Sequence, residues 1–273
     1  DIAARLARQR NIRFVLNPYY HNTENRRTVK WQLYRILYGK ATIAAADAIV
    51  VISPFERDLL RKDRFKLQRV ELIPPGIVPD AFQISHPNPF NAWGIADKEI
   101  LLFAARVAKS KGVDLLIHAF AEIHKEQSNT HLVIIGEDFG FEAAGRAIAK
   151  SHGVEGSITW TGKVSRRELL GAYQHASVFV FPSRYEAFGI VLLEAGAAGC
   201  PIVATRGSAI PYVVRDKKTG LLFEPENISD LAAKVLLLLR NRAHAKELAR
   251  AARERAFRDF TWERSVEKLL SLY

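Results

Sequence analysis

The 273-residue sequence contains no methionine and a single cysteine, Cys200. One cysteine excludes an intramolecular disulfide and a cysteine metal cluster. Its position before Pro201 fits a small buried residue better than a reactive thiol. The longest apolar run, residues 41–52, is interrupted by Asp47 and is shorter than the roughly 18 residues that span a bilayer. These features predict a cytoplasmic protein, and the missing methionine favours a fragment, a truncated protein or a reconstructed sequence.

Charge of one sign dominates the chain. It carries 40 Lys and Arg against 29 Asp and Glu, a net charge of +11, while its 48% apolar content is ordinary for a globular protein. Such an excess favours anionic partners, which include phosphorylated substrates, anionic lipid and nucleic acid. Since the sequence contains no nucleic-acid-binding motif, we expect no nucleic-acid partner.

After residue 90, short β-branched runs alternate with longer helical patterns. The predicted strands are 100–105, 131–135, 157–161, 177–181, 201–204 and 220–223. The predicted helices are 112–126, 140–152, 165–174, 188–199 and 228–239. This alternation predicts an α/β fold with a parallel, doubly wound sheet.

The first 85 residues hold only part of such a domain. Their predicted strands are 12–16, 48–52 and 70–73, and their predicted helices are 2–10, 27–46 and 54–62. The Pro- and Asn-rich stretch 85–93 is the best linker candidate. We therefore expect a truncated N-terminal α/β domain over 1–85, a complete Rossmann-like domain over 86–241, and C-terminal helices over 242–273 that pack back on the N-terminal part.

Residues 182–200 are the most informative segment. Glu186 and Glu194 lie eight positions apart, and Gly189 sits between them where a helix begins. A glycine turn at a helix start offers backbone N–H groups and a dipole to an anion. A carboxylate inside the otherwise apolar helix, as at Glu194, is costly to bury without a partner. This combination fits a sugar nucleotide.

A second segment follows the strand 100–105. Arg106 and Lys111 lie five positions apart, and Gly112 opens the next helix. In open α/β sheets, ligands bind at the carboxyl ends of the strands. We therefore expect these two cations on the same rim as Gly189, where they would suit a diphosphate.

These segments resemble the retaining glycosyltransferases of the GT-B fold in family 4, which includes sucrose-phosphate synthases, bacterial glycogen synthases and lipid mannosyltransferases. The matching stretches occur in the family's order and cover nearly the whole chain: 46–53, 73–77, 106–112, 133–137, 161–162, 181–183, 186–194 and 199–205. The resemblance implies a complete C-terminal Rossmann-like domain and a partial N-terminal one.

The resemblance also implies roles for individual residues. Those implied in catalysis are Arg106, Lys111, Glu186 and His21. Those implied in donor binding are Arg106, Lys111, Lys163, Val164, Glu186, Phe188, Gly189, Ile190 and Glu194. The two cations would hold the diphosphate, and Glu194 would accept from the ribose hydroxyls. Glu186 and His21 would face the sugar, residues 188–190 would offer backbone N–H groups, and residues 163–164 would flank the base.

The function implied is metal-independent, retaining transfer of a hexose from a nucleotide-diphosphate sugar, with UDP favoured, to a sugar, lipid or small-molecule acceptor. The sequence contains no Asp-x-Asp motif, and we expect no cofactor. One alternative is a nucleotide-sugar-binding module with little or no transfer activity. Another is a sugar-nucleotide epimerase of similar fold.

Three positions depart from the family pattern. Ala105 and Ala187 stand where glycine is usual, and Tyr212 replaces a usual glutamate, which leaves the sugar preference open there. The predicted basic helix 26–40, with Trp31, Tyr34 and Tyr38 on one side, also fits a peripheral membrane contact. The simpler interpretation is that its aromatic face packs on a sheet.

Overall fold

The computed structural model describes residues 2–20, 29, 33 and 38–273. The chain divides into two compact units. The smaller unit comprises Asp1–Gly76 and Trp262–Tyr273, and the larger unit comprises Ile77–Thr261. Both are α/β structures with parallel sheets, as the alternation of strand and helix patterns predicts.

The smaller unit contains a three-stranded parallel sheet in the order β1-β2-β3. Its elements are α1 (Ile2–Gln9), β1 (Val15–Leu16), α2 (Lys40–Ala45), β2 (Ala48–Val51), α3 (Pro54–Lys62), β3 (Val70–Leu72) and α13 (Trp262–Leu270). One face of β2 presents Ile49 and Val51 to a cluster that includes Leu60. The opposite face presents Ala48 and Val50 to a cluster that includes Leu272, at the end of the chain.

Helix α3 begins where its sequence predicts. The hydroxyl of Ser53 accepts from the backbone N–H of Glu56 at 3.2 Å, and a proline follows the cap. The carboxylate of Glu56 is fully buried and accepts from the backbone N–H groups of Ile52, at 2.8 Å, and of Tyr20. These bonds tie α3 to the loop after β1. His21 follows that loop and lies outside the described residues, as does most of the predicted helix 26–40.

The larger unit contains a six-stranded parallel sheet in the order β6-β5-β4-β7-β8-β9. Its strands are β4 (Glu99–Ala104), β5 (Thr130–Ile135), β6 (Ile158–Gly162), β7 (Val178–Phe181), β8 (Ile202–Thr205) and β9 (Leu221–Phe223). Its helices are α4 (Asp80–Gln83), α5 (Pro89–Ala92), α6 (Val113–Glu126), α7 (Glu142–Ser151), α8 (Arg166–His175), α9 (Ile190–Ala197), α10 (Ile210–Val213), α11 (Ile228–Arg240) and α12 (Arg242–Asp259). The strand order reverses between β4 and β7, which is where ligands bind in open sheets of this kind.

The two units divide the chain at other positions than the sequence suggests. The expected linker 85–93 belongs to the larger unit and contains α5, because His86 and Phe90 are buried there and Gln174 accepts from the backbone of His86. The expected C-terminal group 242–273 is also split. Helix α12 packs on α9 within the larger unit, and only the residues from Trp262 onward join the smaller unit.

One predicted strand is shorter in the structure. The predicted strand 12–16 pairs only at Val15 and Leu16, since Ile12 is 59% exposed and stands outside the sheet. Of the predicted helix 27–46, the structure describes residues 29, 33 and 38–46; residues 29, 33 and 38–39 have helical conformation, and α2 follows them. Within the described residues, no helix combines the length and the hydropathy that crossing a bilayer requires.

Candidate functional site

The loops after β4 and β7 touch at the point where the strand order reverses. Gly112 has a φ of 72°, and a Cβ atom at this position would lie 2.0 Å from the carbonyl oxygen of Pro182. Only glycine allows both the left-handed conformation and this approach of two backbones. The contact places the cationic loop after β4 directly against the segment that carries the paired glutamates.

Lys111 and Glu186 meet across this contact. The Nζ atom of Lys111 lies 2.6 Å from Oε1 of Glu186, and their side chains are 15% and 13% exposed. The hydroxyl of Ser183, which is buried, lies 2.9 Å from the same oxygen. Because an ammonium has three donors, Lys111 can bond Glu186 and still present protons to a bound anion.

Arg184 holds three loops of this rim together. Its guanidinium forms bidentate pairs with Asp114, at 2.8 and 3.0 Å, and with Glu226, at 2.8 Å for both bonds. It also donates to the carbonyl of Lys109 at 2.5 Å, and its backbone N–H donates to Ser110 at 3.0 Å. These bonds use all five guanidinium protons, so Arg184 fixes the backbone on both sides of Lys111 and just before Glu186.

The charge state of Asp114 reflects this arrangement. Partial burial raises the pKa of Asp114, but the hydrogen bonds from Arg184 and nearby backbone N–H groups outweigh that effect, so its pKa lies below its usual range. The same carboxylates raise the pKa of Arg184. Asp114 and Arg184 are therefore both charged near neutral pH.

Helix α9 begins at this rim with the conformation that its glycine predicts. Gly189 has a φ of 95° and stands at the N-cap, so the first N–H groups of the helix have no partner within it. Phe188 is buried against Tyr212 and Phe260, with ring centroids 6.2 and 5.8 Å apart, and Ile190 is 39% exposed. The buried Phe188 ring therefore anchors the start of α9, while Ile190, its first residue, stays at the surface.

Tyr212, where the family usually has a glutamate, belongs to this aromatic cluster. Its ring also packs edge-to-face on Phe260, with centroids 5.6 Å apart. The buried guanidinium of Arg255 donates to the carbonyls of Tyr212, at 2.8 Å, and Val213, and stacks over Phe260. Helix α12 thus anchors α10, and the Tyr212 ring takes up a packing position where an acidic side chain would offer an acceptor.

Arg106 is placed differently from Lys111. It is exposed, and its guanidinium lies 5.1 Å from the ring centroid of Phe139, in the loop after β5. The loops after β4 and β5 pair at this point, since the N–H of Phe139 donates to Val107 at 2.9 Å. Across the part of the chain that the structure describes, Arg106 shares no hydrogen bond or ion pair with either glutamate. Arg106 lies at the same rim, and its long side chain packs on the ring of Phe139.

Glu194 lies in α9 and contacts helix α8. Its Oε1 atom accepts from Nη1 of Arg166 at 2.7 Å, and its Oε2 atom lies 3.4 Å from the hydroxyl of Tyr173. The Glu194 side chain is 14% exposed, so the carboxylate is partnered yet open to solvent on one side. This resolves how an acidic residue is accommodated in an otherwise apolar helix.

Of the remaining predicted residues, the structure describes Lys163 and Val164 but not His21. Lys163, exposed, and Val164, half-buried, directly follow β6 at the same edge of the sheet. A capping box between Ser165 and Glu168 then starts α8. His21 lies outside the described residues, so its predicted role stays a prediction.

Sequence reasoning missed Arg166, Tyr173 and Arg184. Arg184 and its two acidic partners are 70 and 42 positions apart, and no local pattern links them. For Arg166 a signal was present: it is the first residue of a helix whose capping box fixes its position after β6, on the rim where Glu194 needed a partner.

The chain matches two protein families. The family described as glycosyl transferases group 1 matches residues 87–255, and glycosyltransferase family 4 matches residues 2–81. These matches cover most of the larger unit and most of the smaller unit.

Individual proteins that resemble this chain are also glycosyltransferases. A D-inositol 3-phosphate glycosyltransferase of Xylanimonas cellulosilytica is 32% identical over 251 residues, which is 88% of this chain and 59% of that protein. A GDP-mannose-dependent alpha-(1-6)-phosphatidylinositol monomannoside mannosyltransferase of Mycobacterium tuberculosis is 29% identical, over 82% of this chain and 60% of that protein. This chain thus spans about 60% of the length of these relatives.

A solved structure, Anabaena HepE in complex with UDP and glucose, superimposes with a TM-score of 0.87. The match covers 99% of this chain and 74% of HepE at 16% sequence identity. At that identity the likeness concerns the fold, which is that of the GT-B glycosyltransferases.

Proposed function

The chain belongs to the glycosyl transferases of group 1, and from this premise we propose that it binds a nucleotide-diphosphate sugar and transfers the hexose to an acceptor. The observation that carries the proposal is the arrangement within residues 182–200. Glu186 meets Lys111 at 2.6 Å, and Glu194, eight residues later, meets Arg166 at 2.7 Å. In a nucleotide-sugar donor the diphosphate joins the hexose to the ribose, and the segment offers a charged group toward each side of that link.

Departure of the hexose leaves a nucleoside diphosphate, so stabilising that developing charge is the main task of the site. Lys111 is held opposite Glu186 before any ligand arrives, and Arg106 can swing from Phe139 toward the phosphates. The free N–H groups at the start of α9 add a positive end to the same rim. We propose that these groups suffice without a metal ion, and that the sugar keeps its anomeric configuration.

For the donor we propose a UDP-linked hexose, with a GDP-linked hexose as the competing choice. UDP appears in the HepE complex, whereas the Mycobacterium tuberculosis relative is named for GDP-mannose. The base would be bound after β6, by Lys163 and the backbone of Val164. The acceptor is a sugar, a lipid or another small molecule.

The test is a panel of UDP-, GDP- and ADP-hexoses incubated with the whole chain, with release of the nucleoside diphosphate as the readout. We expect release with UDP-hexose above the others, and equal rates with and without EDTA. NMR of the product anomer tests retention. Absence of release from every donor would overturn the transfer proposal, and loss of activity in EDTA would overturn its metal independence.

A binding module without transfer is the second candidate. Among the residues that the structure describes, the smaller unit has three strands and the larger unit, which carries the proposed donor site, has six. This candidate gives calorimetric binding of nucleoside diphosphate with no turnover in the panel. Because the chain belongs to the glycosyl transferases of group 1, we do not propose the epimerase alternative.

A further inference from the structure

The Glu194 carboxylate is held from two sides by one helix. Arg166, the first residue of α8, donates to Oε1 at 2.7 Å, and Tyr173, two turns later, places its hydroxyl 3.4 Å from Oε2. Tyr173 is fully buried. Burial and the neighbouring Glu194 charge raise the pKa of Tyr173 well above its usual value, so its hydroxyl keeps its proton and can donate.

These two contacts leave a defined acceptor capacity. An ionised carboxylate has about four lone-pair sites, two on each oxygen. Arg166 occupies one site on Oε1, and Tyr173 faces one site on Oε2. Each oxygen therefore retains about one site, and the side chain is 14% exposed, so the carboxylate is not fully covered by protein. Two adjacent acceptors on one carboxylate match the spacing of a vicinal diol.

Arg166 itself is anchored but accessible. Its guanidinium lies 5.8 Å from the ring centroid of Phe82, and its side chain is 52% exposed. The capping box between Ser165 and Glu168 fixes the backbone from which it extends. A side chain held at both ends can restrain Glu194 without filling the space in front of it.

We propose that Arg166 and Tyr173 are positioning residues that hold the Glu194 carboxylate ready to accept from both ribose hydroxyls of the donor, and so select a ribonucleotide over a deoxyribonucleotide. The inference rests on the proposed function, since it needs a nucleotide at this rim. A glutamate side chain without such contacts loses rotamer freedom when a ligand binds it. Here two protein contacts remove that freedom beforehand, which is the general route by which preorganisation increases affinity.

The experiment pairs protein variants with ligand variants. UDP, 2′-deoxy-UDP and 3′-deoxy-UDP are titrated calorimetrically into the whole chain and into Arg166→Ala, Arg166→Lys and Tyr173→Phe. The guanosine series is used if GDP binds more tightly. Arg167→Ala, which removes the neighbouring exposed arginine of the same helix, is the matched control. Thermal melting checks that each variant is folded.

We expect removal of one ribose hydroxyl to weaken binding to the unmodified chain by about 10- to 100-fold, as for a hydrogen bond to a charged group. Arg166→Ala should weaken UDP binding by about 10-fold and reduce the deoxy penalty to about 3-fold or less, because Glu194 no longer holds its orientation. Arg166→Lys should fall between the two, Tyr173→Phe should show a smaller loss, and Arg167→Ala should match the unmodified chain within twofold.

Two results would overturn the inference while leaving the proposed function intact. In the first, Arg166→Ala binds UDP as tightly as the unmodified chain or more tightly, which would make Arg166 a competitor for Glu194. In the second, it weakens UDP and the deoxy ligands by the same factor, which would place its effect on the phosphates or the base. If the unmodified chain binds none of these nucleotides, both the proposed function and this inference fall.

Discussion

Replacing Arg184 with alanine tests whether the loops of the proposed donor site are held by its guanidinium. The Arg184 side chain is 27% exposed, while Asp114 and Glu226 are 16% and 57% exposed. Losing the bidentate bond to the more buried Asp114, which then has no cationic partner, costs about 2 kcal/mol. The exposed bond to Glu226 adds about 0.5 kcal/mol. We therefore expect Arg184→Ala to lower the free energy of unfolding of the larger unit by about 2–3 kcal/mol.

The assay is thermal and urea unfolding of the unmodified chain, Arg184→Ala, Arg184→Lys and Glu226→Ala. A loss of that size lowers the melting temperature by roughly 5–10 °C for a unit of this size. Lysine keeps the charge but not the planar fork, so Arg184→Lys should fall between. Glu226→Ala, which removes only the exposed bond, should cost less than about 1 kcal/mol. Equal losses in Arg184→Ala and Glu226→Ala, or no loss in the former, would refute this reasoning.

The same variant predicts a change in pH dependence. The pKa of Asp114 is lowered in the folded chain, so its stabilising contribution is present above the unfolded pKa of about 4. That contribution is lost as the pH falls through the lower, folded pKa. The stability difference between the unmodified chain and Arg184→Ala should therefore be constant from pH 5 to 8 and should shrink below about pH 4. A difference that grows in acid would contradict the assignment.

The remaining predictions concern single positions. Gly112→Ala should lower the free energy of unfolding in urea by more than about 2 kcal/mol and abolish nucleotide binding, because its Cβ would lie 2.0 Å from the Pro182 carbonyl oxygen. The control is Gly153→Ala, which has a similar φ of 68° but no atom near the added Cβ, and should cost only about 1 kcal/mol in the same titration. Lys111→Met should weaken UDP binding by about 100-fold and uridine binding by less than twofold in calorimetry. The reason is that, of the parts of UDP, only the diphosphate would contact the Lys111 ammonium. Burial raises the pKa of Cys200 to about 12, so the folded chain at pH 8 should react with a thiol reagent far more slowly than the chain in urea; equal rates would contradict the burial.

Much of the larger unit could be predicted from the sequence because its signals are local. Most strands are short apolar runs between polar ends, and helices around them begin at recognisable caps such as Ser165 and Asn227. The position of Gly189 at the start of α9 was also predictable, since only a glycine readily adopts the left-handed conformation required there.

The parts that escaped prediction depend on contacts distant in sequence. The stretch 85–93 looks like a linker by composition, but Phe90 is buried in the larger unit, and burial is not visible in composition. The end of the larger unit at Thr261 is set by a bridge between Ile77 and Thr261, 184 positions away. The Arg184 and Arg166 contacts also depend on distant residues. In the sequence each arginine looks like an ordinary surface cation, because its carboxylate partners become neighbours only in the folded chain.

The most direct test of the central claim is a calorimetric titration of UDP and GDP into the whole chain in the presence of EDTA. The account predicts one saturable site for at least one of them, weakened by about 10-fold or more in Glu194→Ala. The control is Glu247→Ala, an exposed carboxylate of α12, which should leave the affinity unchanged. A chain that binds neither nucleotide, or binds one equally well after Glu194→Ala, would contradict the assignment of residues 182–200 as the donor site.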